Sequence, residues 1–341
     1  MKIAKVLPKG SVAKGTEYPS IDPFPEGVHR PFWSVMITTY NRTKYLEQAL
    51  KSVLEQDPGA DKMQIEVVDD CSPNENIEAF VKKVGQDRVS FYQQPKNVGI
   101  YANWNTCINR ARGYWVHILH DDDLVLPGFY GRLREALEKE STIGAAFCRH
   151  IHIDEEGKQQ FLSPLERETP GILSDWLEQI AVMQLIQCAS IVVKRSIYEK
   201  LGGFCLELSG ANDWEMWKRI AAHVPICYEP QILACYRLHS ASETSRLIRS
   251  GANIADVRKA IDISQSYLPT TMTRKLSSKA REYYALYALN TAHQMLIKND
   301  RVAAIAQIRE ALNCSYSLRV IRVLIHLLRC NWTRWIWQAG R

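Results

Sequence analysis

The sequence predicts an α/β protein: a mostly parallel sheet flanked by helices, with a C-terminal α-helical extension. Three observations predict it. From Trp33 onward, short β-branched runs alternate with segments of helical period, as in parallel strands joined by crossover helices. Polar and acidic clusters follow three of those runs, at the strand ends where open α/β sheets hold their ligands. Beyond about Ser242 the composition turns to helix formers.

Residues 1–30 are rich in Lys, Pro and Gly and lack an apolar segment, which predicts an irregular surface arm and no secretory signal. The main domain is expected over 31–245. Ser34 to Thr38 is its first strand, and Leu46, Leu50, Val53 and Leu54 then recur at i, i+4, i+7 and i+8 as one helix face. Gln64 to Val68 is the second strand, followed by a helix carrying Ile77, Phe80, Val81 and Val84. Val89 to Tyr92 is the third, with Trp104, Cys107, Ile108 and Ala111 on the next helix. Tyr114 to Leu119 is the fourth, and Tyr130, Leu133 and Leu137 mark the helix after it. Residues 140–210 are less regular. There Cys188 to Val193 reads as a strand, and Ser196 to Glu199 as a capping box opening a short helix that stops at Gly202-Gly203. Trp214, Trp217 and Ala221 share a helix face with Asp213 at the N-terminus, where position alone favours an N-cap; Ile226 to Tyr228 and Ile232 to Tyr236 resume the sheet.

Residues 246–317 predict a helical hairpin, Tyr284 to Leu296 and Ala303 to Leu312 joined by a turn at Lys298-Asn299-Asp300. The tail, 318–341, holds five arginines and no acid. Arg319, Arg322, His326 and Arg329 share a helix face, with Val320, Leu324, Leu327 and Leu328 off it and Trp332, Trp335 and Trp337 beyond. That pattern predicts an interfacial helix on an anionic bilayer, with packing on the hairpin or a second subunit as the alternative. Its apolar run is about half the roughly 20 residues a spanning helix needs.

Composition excludes several classes. At 341 residues with 46% hydrophobic and 23% charged, the chain is ordinary globular material. A net charge of +6 with no aromatic-interleaved basic stripe gives no indication of nucleic acid. The nine cysteines form no CxxC pair and read as buried thiols of a cytosolic protein. No GxGxxG follows the first strand and no GxxxxGK[ST] occurs, which disfavours a dinucleotide dehydrogenase and a P-loop enzyme.

The most informative run is His120-Asp121-Asp122-Asp123, directly after an apolar strand. Adjacent acids repel unless a cation or donors compensate, so a divalent metal accounts for them economically; an isolated triplet would read equally well as a solvated turn. The context decides. Thr38-Thr39-Tyr40-Asn41-Arg42 ends the first strand and Asp69-Asp70-Cys71-Ser72 the second, so one rim collects five carboxylates.

These runs, with Asn97-Val98-Gly99, Ala111-Arg112-Gly113-Tyr114, Asn212 to Trp217 and Tyr236-Arg237-Leu238-His239, resemble the family 2 glycosyltransferases over residues 32–245. The resemblance implies the GT-A fold, a Rossmann-like sheet, and an inverting, metal-dependent transfer from a nucleotide sugar. It implies that Thr38 and Tyr40 line the base pocket, that Asp70 with Asp69 bonds the base, and that Arg42 and Asn97 belong to the nucleotide-sugar site. Asp121 would lie near the ribose, and Asp122, with Asp123 and His239, would hold Mn²⁺ or Mg²⁺. Arg237 and His239 would also donate to the phosphates. The first position of the DxD motif is His120 here, and the Glu-Asp pair before the Trp-rich helix is Asn212-Asp213, which keeps the base, Asp213. The family's processive QxxRW motif is absent, so one sugar is added per encounter.

Such a transfer needs a cation where diphosphate charge develops and one carboxylate to take the acceptor proton. The acceptor is expected to be lipid-linked or a saccharide, used at the cytoplasmic membrane face in cell-surface polysaccharide or glycolipid synthesis. A catalytically degenerate nucleotide-sugar-binding protein is the alternative, motivated by His120 and Asn212. A sugar-phosphate nucleotidyltransferase is disfavoured, because residues 38–42 contain no glycine for a phosphate loop.

Overall fold

The computed structural model describes residues 17–239 and 243–339. Four strands in register form the front of the sheet: β1 (Trp33–Thr39), β2 (Met63–Asp69), β3 (Ser90–Gln93) and β4 (Trp115–His120), all parallel. Their crossovers are α1 (Leu46–Leu54), α2 (Ile77–Gly85) and α3 (Ile100–Arg110). A two-residue strand, β5 (Leu124–Val125), and α4 (Phe129–Lys139) follow. All seven residues of β1 are buried, as expected of a strand covered on both faces.

The irregular stretch after 140 holds more sheet than its sequence suggests. It contains β6 (Ala145–Ile153), β7 (Gln159–Leu162), β8 (Gly171–Ile172), the short α5 (Trp176–Ile180), β9 (Ile191–Lys194), α6 (Arg195–Leu201) and α7 (Asn212–Ala221). Ile226 to Arg237 is one strand, β10, with register shifts at Glu229–Ile232 and Ile232–Ala234 where two strands were expected. The order is β3-β2-β1-β4-β9-β6-β10-β5, with β9 antiparallel to both neighbours and β6 parallel to β10. Two local expectations are corrected. Cys188–Ser190 is a 3₁₀ turn before β9. Ser196 does not cap a helix, because β9 runs straight into α6 at Lys194 and leaves no loop for a capping box.

Side chains alternate across β1. Val35 and Ile37 pack with Leu46, Leu50 and Val53 of α1, while Met36 enters a second core with Trp104, Trp214 and Trp217. After α8 (Glu243–Ser250), that second core runs on into the C-terminal helices α9 (Ala252–Ser264), α10 (Thr270–Ile297), α11 (Arg301–Cys314) and α12 (Leu318–Ala339). Ile254, Ala260, Tyr284, Leu289 and Val320 all belong to it. The turn before α11 forms as expected, with the Asp300 side chain capping Ala303 N at 3.1 Å. The eight described cysteines are unpaired, and seven are buried.

The tail departs from a free interfacial helix. Val320 and Leu327 are buried and Leu324 is half-buried against this core, so the apolar stripe expected to meet lipid meets protein. Leu318, Val323, Ile325 and Leu328 remain exposed. The side chains of Trp332, Trp335 and Trp337, and residues 1–16 of the arm, lie outside the described residues. No helix among the described residues is long and apolar enough to cross a membrane.

Besides the shared core, a buried carboxylate fastens the extension to the front domain. The Asp256 carboxylate on α9 accepts the backbone amides of Ser209, Gly210 and Ala211 at 2.9, 2.7 and 2.7 Å, fixing the entry to α7. Three charge-assisted bonds at a buried acid make this a costly point to lose. Asp256→Ala should lower the unfolding free energy by about 3 kcal/mol, read from the midpoint of urea denaturation at unchanged slope. A loss below about 0.5 kcal/mol would show the amides are satisfied without it.

Candidate active site

The loops after β1 and β2 bend through left-handed residues, Asn41 (φ 51°) and Cys71 (φ 62°), and are tied together by Asn41 N donating to Ser72 Oγ at 2.6 Å. This brings their side chains over the end of β4. A cavity of about 370 Å³ opens there. Thr38, Tyr40, Arg42 and Asp70 line it from the first two strands, Asp121 and Asp122 from the end of β4, and Asp213 and Arg237 from α7 and β10. Residues more than 170 positions apart in sequence thus face one space.

Each acid of the 121–123 run has its own partners. Asp121 Oδ2 accepts from Thr39 Oγ1 at 2.6 Å, with Arg42 Nη1 3.4 Å from Oδ1. Asp122 Oδ2 accepts from Arg42 Nη1 at 2.5 Å and from His239 Nε2 at 2.9 Å. Asp123 Oδ1 accepts from Arg237 N at 2.9 Å. Burial and the Asp122 charge push the Asp121 carboxyl up. Burial acts upward on Asp122 too, but the His239 hydrogen bond and the charges of His120 and Arg42 outweigh it and hold that carboxyl down.

Four expected site residues lie outside the cavity. Asp69 is fully buried, and its carboxylate accepts from Ser72 N and Gln93 Nε2, both at 2.9 Å, and from Ser72 Oγ, so it braces the turn instead of facing a ligand. Asn97 is exposed on the loop whose next two amides, Val98 N and Gly99 N, donate to Asp70 at 2.8 and 2.9 Å. Asp123 is buried behind its neighbour, and His239 stands behind Asp122, lining an adjoining cavity of about 800 Å³. Burial raises the Asp70 carboxyl against the lowering effect of the two amides.

Among the described residues one set is placed to hold a cation. Ligand atoms of His120, Asp122 and Asp123 lie within 4.8 Å of one another. Asp123 Oδ2 is buried with no hydrogen-bond partner, His120 Nδ1 being 3.4 Å away, so an acceptor stands open where a hard cation would use it. His120 joins this set in place of the expected His239, which instead bonds Asp122. His120 is also stacked on Trp104, 4.9 Å between ring centroids.

Asp213 lies in the first turn of α7, not at its N-cap, which is Ala211. Its Oδ1 accepts from Trp214 N at 2.6 Å and its Oδ2 from Gln184 Nε2 at 2.8 Å. Burial raises its pKa to about 6, against lowering by the Trp214 amide, the His120 charge and Gln184. The neighbouring acid, Glu215, is fully buried and bonded to Arg219 and Tyr18, facing away from the cavity. Asn212 Nδ2 donates to the carbonyls of Cys205 and Leu208, so this position pins the loop before α7.

The glycosyl transferase family 2 model matches residues 34–202. The chain belongs to glycosyltransferase family 2. This glycosyltransferase is 27% identical over 245 residues to an uncharacterized protein of Mycobacterium tuberculosis, covering 68% of this chain and 75% of that one. It is 29% identical over 199 residues to an uncharacterized glycosyltransferase of Methanocaldococcus jannaschii, covering 57% and 66%. Its fold is similar to that of Staphylococcus aureus TarS in complex with UDP-GlcNAc, with TM-score 0.57 and 15% identity over 82% of this chain and 90% of that one. It is likewise similar to a mannosyltransferase of Pyrobaculum calidifontis in complex with GDP-Man and Mn²⁺, with TM-score 0.55 and 20% identity over 92% and 83%. The GT-A architecture is therefore that of this glycosyltransferase.

Sequence reasoning missed Gln184 and Gln187, as well as Tyr101 and Trp104 in the cavity wall. No motif marks the glutamines, which lie in a segment without regular structure between α5 and β9.

Proposed function

We propose that this enzyme moves one sugar from a nucleotide-diphosphate sugar, UDP-linked by the sequence resemblance, to an acceptor hydroxyl with inversion at the anomeric carbon. The observation that carries the reading is the meeting of Asp121 and Asp122 with Asp213 across one cavity of about 370 Å³. The nucleotide-sugar complexes of the two similar structures support it.

In this reading Thr38, Tyr40 and Asp70 meet the base, and Asp121 the ribose. Asp122, with His120 and Asp123, holds Mn²⁺ or Mg²⁺, and His239 orients Asp122. When bound, the cation neutralises charge developing on the departing diphosphate. Arg42 holds Asp121 and Asp122 together at the cavity wall. Asp213, kept in place by Gln184, takes the acceptor proton, and its raised pKa suits a base working near neutrality. The adjoining cavity of about 800 Å³, which shares Gln187, Tyr236 and Arg237 with the first, gives room for a saccharide or lipid-linked acceptor of cell-surface polysaccharide synthesis.

The same reading places the enzyme peripherally on the cytoplasmic membrane face, through the outer side of α12, where Arg319, Arg322 and Arg329 stand among exposed Leu318, Val323, Ile325 and Leu328.

Asp213→Asn should retain donor affinity and lose transfer by a factor of about 10²–10⁴. The wild-type rate at saturating donor should rise with pH through about 6 and level off above it, because the base acts deprotonated. Unchanged turnover in the variant would remove Asp213 from the chemistry. Donor binding with no transfer in either protein would favour the degenerate binding-protein reading. Asp122→Ala should abolish the divalent-metal dependence of donor binding, measured by calorimetry; equal metal dependence in both proteins would contradict the ligand set. Reversing Arg319, Arg322 and Arg329 to Glu should leave the protein in the supernatant when phosphatidylglycerol vesicles are pelleted, with wild type sedimenting. Equal sedimentation would exclude α12 as the contact.

A further inference from the structure

A separate cavity of about 590 Å³ lies in the C-terminal helices and shares no lining residue with the catalytic one. Its floor is a single stripe of α10: Thr270, Thr273, Arg274, Ser277, Ser278 and Arg281 fall at i, i+3, i+4, i+7, i+8 and i+11. Leu276 and Ala280 of the same helix turn into the core. Gln265 at the end of α9 and Cys314-Ser315 between α11 and α12 close the sides.

The lining offers donors and no carboxylate. Asp262, outside the lining, accepts from Arg281 Nη2 at 2.5 Å and from Gln265 Nε2 at 3.1 Å, which holds the guanidinium in one orientation. Arg274 makes no ion pair or hydrogen bond among the described residues. Ser315 Oγ accepts from Ser317 N at 3.2 Å, leaving its own proton to donate. The decisive group is Ser277. It is only 8% exposed, lines the cavity, and its Oγ has no hydrogen-bond partner. A hydroxyl buried without a partner is a cost to the fold unless something in the cavity accepts from it. The Thr273 hydroxyl is committed to Pro269 O at 2.9 Å, but two guanidiniums with the Ser277 and Ser315 hydroxyls are matched by a group that only accepts and carries negative charge on several oxygens.

We propose that this cavity binds a phosphate-type oxyanion, either free phosphate or the phosphomonoester headgroup of a lipid, through Arg274, Arg281 and the Ser277 hydroxyl.

The test is isothermal titration of the full chain with inorganic phosphate and, separately, with dihexanoyl phosphatidic acid below its micelle concentration. Saturable one-to-one binding is expected for at least one probe. Binding of inorganic phosphate identifies a free anion as sufficient; binding of the phosphatidic acid alone identifies the headgroup. In either case Arg274→Gln should weaken it about tenfold. Ser277→Ala should weaken it too, while leaving the melting temperature of the unliganded protein unchanged or raised, because it deletes a hydroxyl with no partner. No saturable binding with either probe overturns the proposal. So does binding that is indifferent to both substitutions, which would place the anion elsewhere.

Discussion

Three consecutive carboxylates at the end of a buried strand impose the constraint on which the rest of this structure depends. Asp121, Asp122 and Asp123 cannot be charged neighbours in a low-dielectric site unless each finds its own donor or cation. The chain supplies these from three places. Thr39 and Arg42 come from the end of β1, Arg237 N and His239 from the end of β10, and His120 from β4 itself. Satisfying the acids therefore draws the first strand, the fourth and the last together at one rim. The same partners shape the cavity, so charge compensation and the building of the cavity are one event.

The opposite wall depends on the C-terminal helices. Asp256 of α9 grips the amides leading into α7, and the Tyr284 hydroxyl of α10 accepts from Gln184 N at 3.0 Å. Gln184 in turn holds Asp213. The extension is thus part of the frame that sets the position of the candidate base. A shared core, running from Met36 in the sheet to Val320 in α12, makes that frame stiff.

The front of the fold was legible because its strands are buried on both faces and its helices on one, which prints two distinct periods on the sequence. β6 was not, since Arg149, His150 and His152 in its second half are polar where a buried strand would be apolar. β10 read as two strands because Glu229-Pro230-Gln231 interrupts the apolar run, where the backbone absorbs the break as a bulge. In the site, acids directly after strands could be found from sequence, because strand direction alone carries them to one rim. Asp69 and Asp70 show the limit. They are adjacent and chemically identical, yet the pleat sends one into the turn and the other to the cavity wall. Gln184, Trp104 and Asp256 act through contacts that no local pattern encodes.

The proposed transfer requires a nucleotide-sugar site completed by a divalent cation. The measurement that tests this most directly is the melting temperature of the full chain against a panel of UDP- and GDP-sugars, each with and without Mn²⁺, since a ligand that binds only the folded state raises it. The account predicts a shift that needs both Mn²⁺ and one class of nucleotide. No shift with any pair, or one of equal size without the metal, would contradict it.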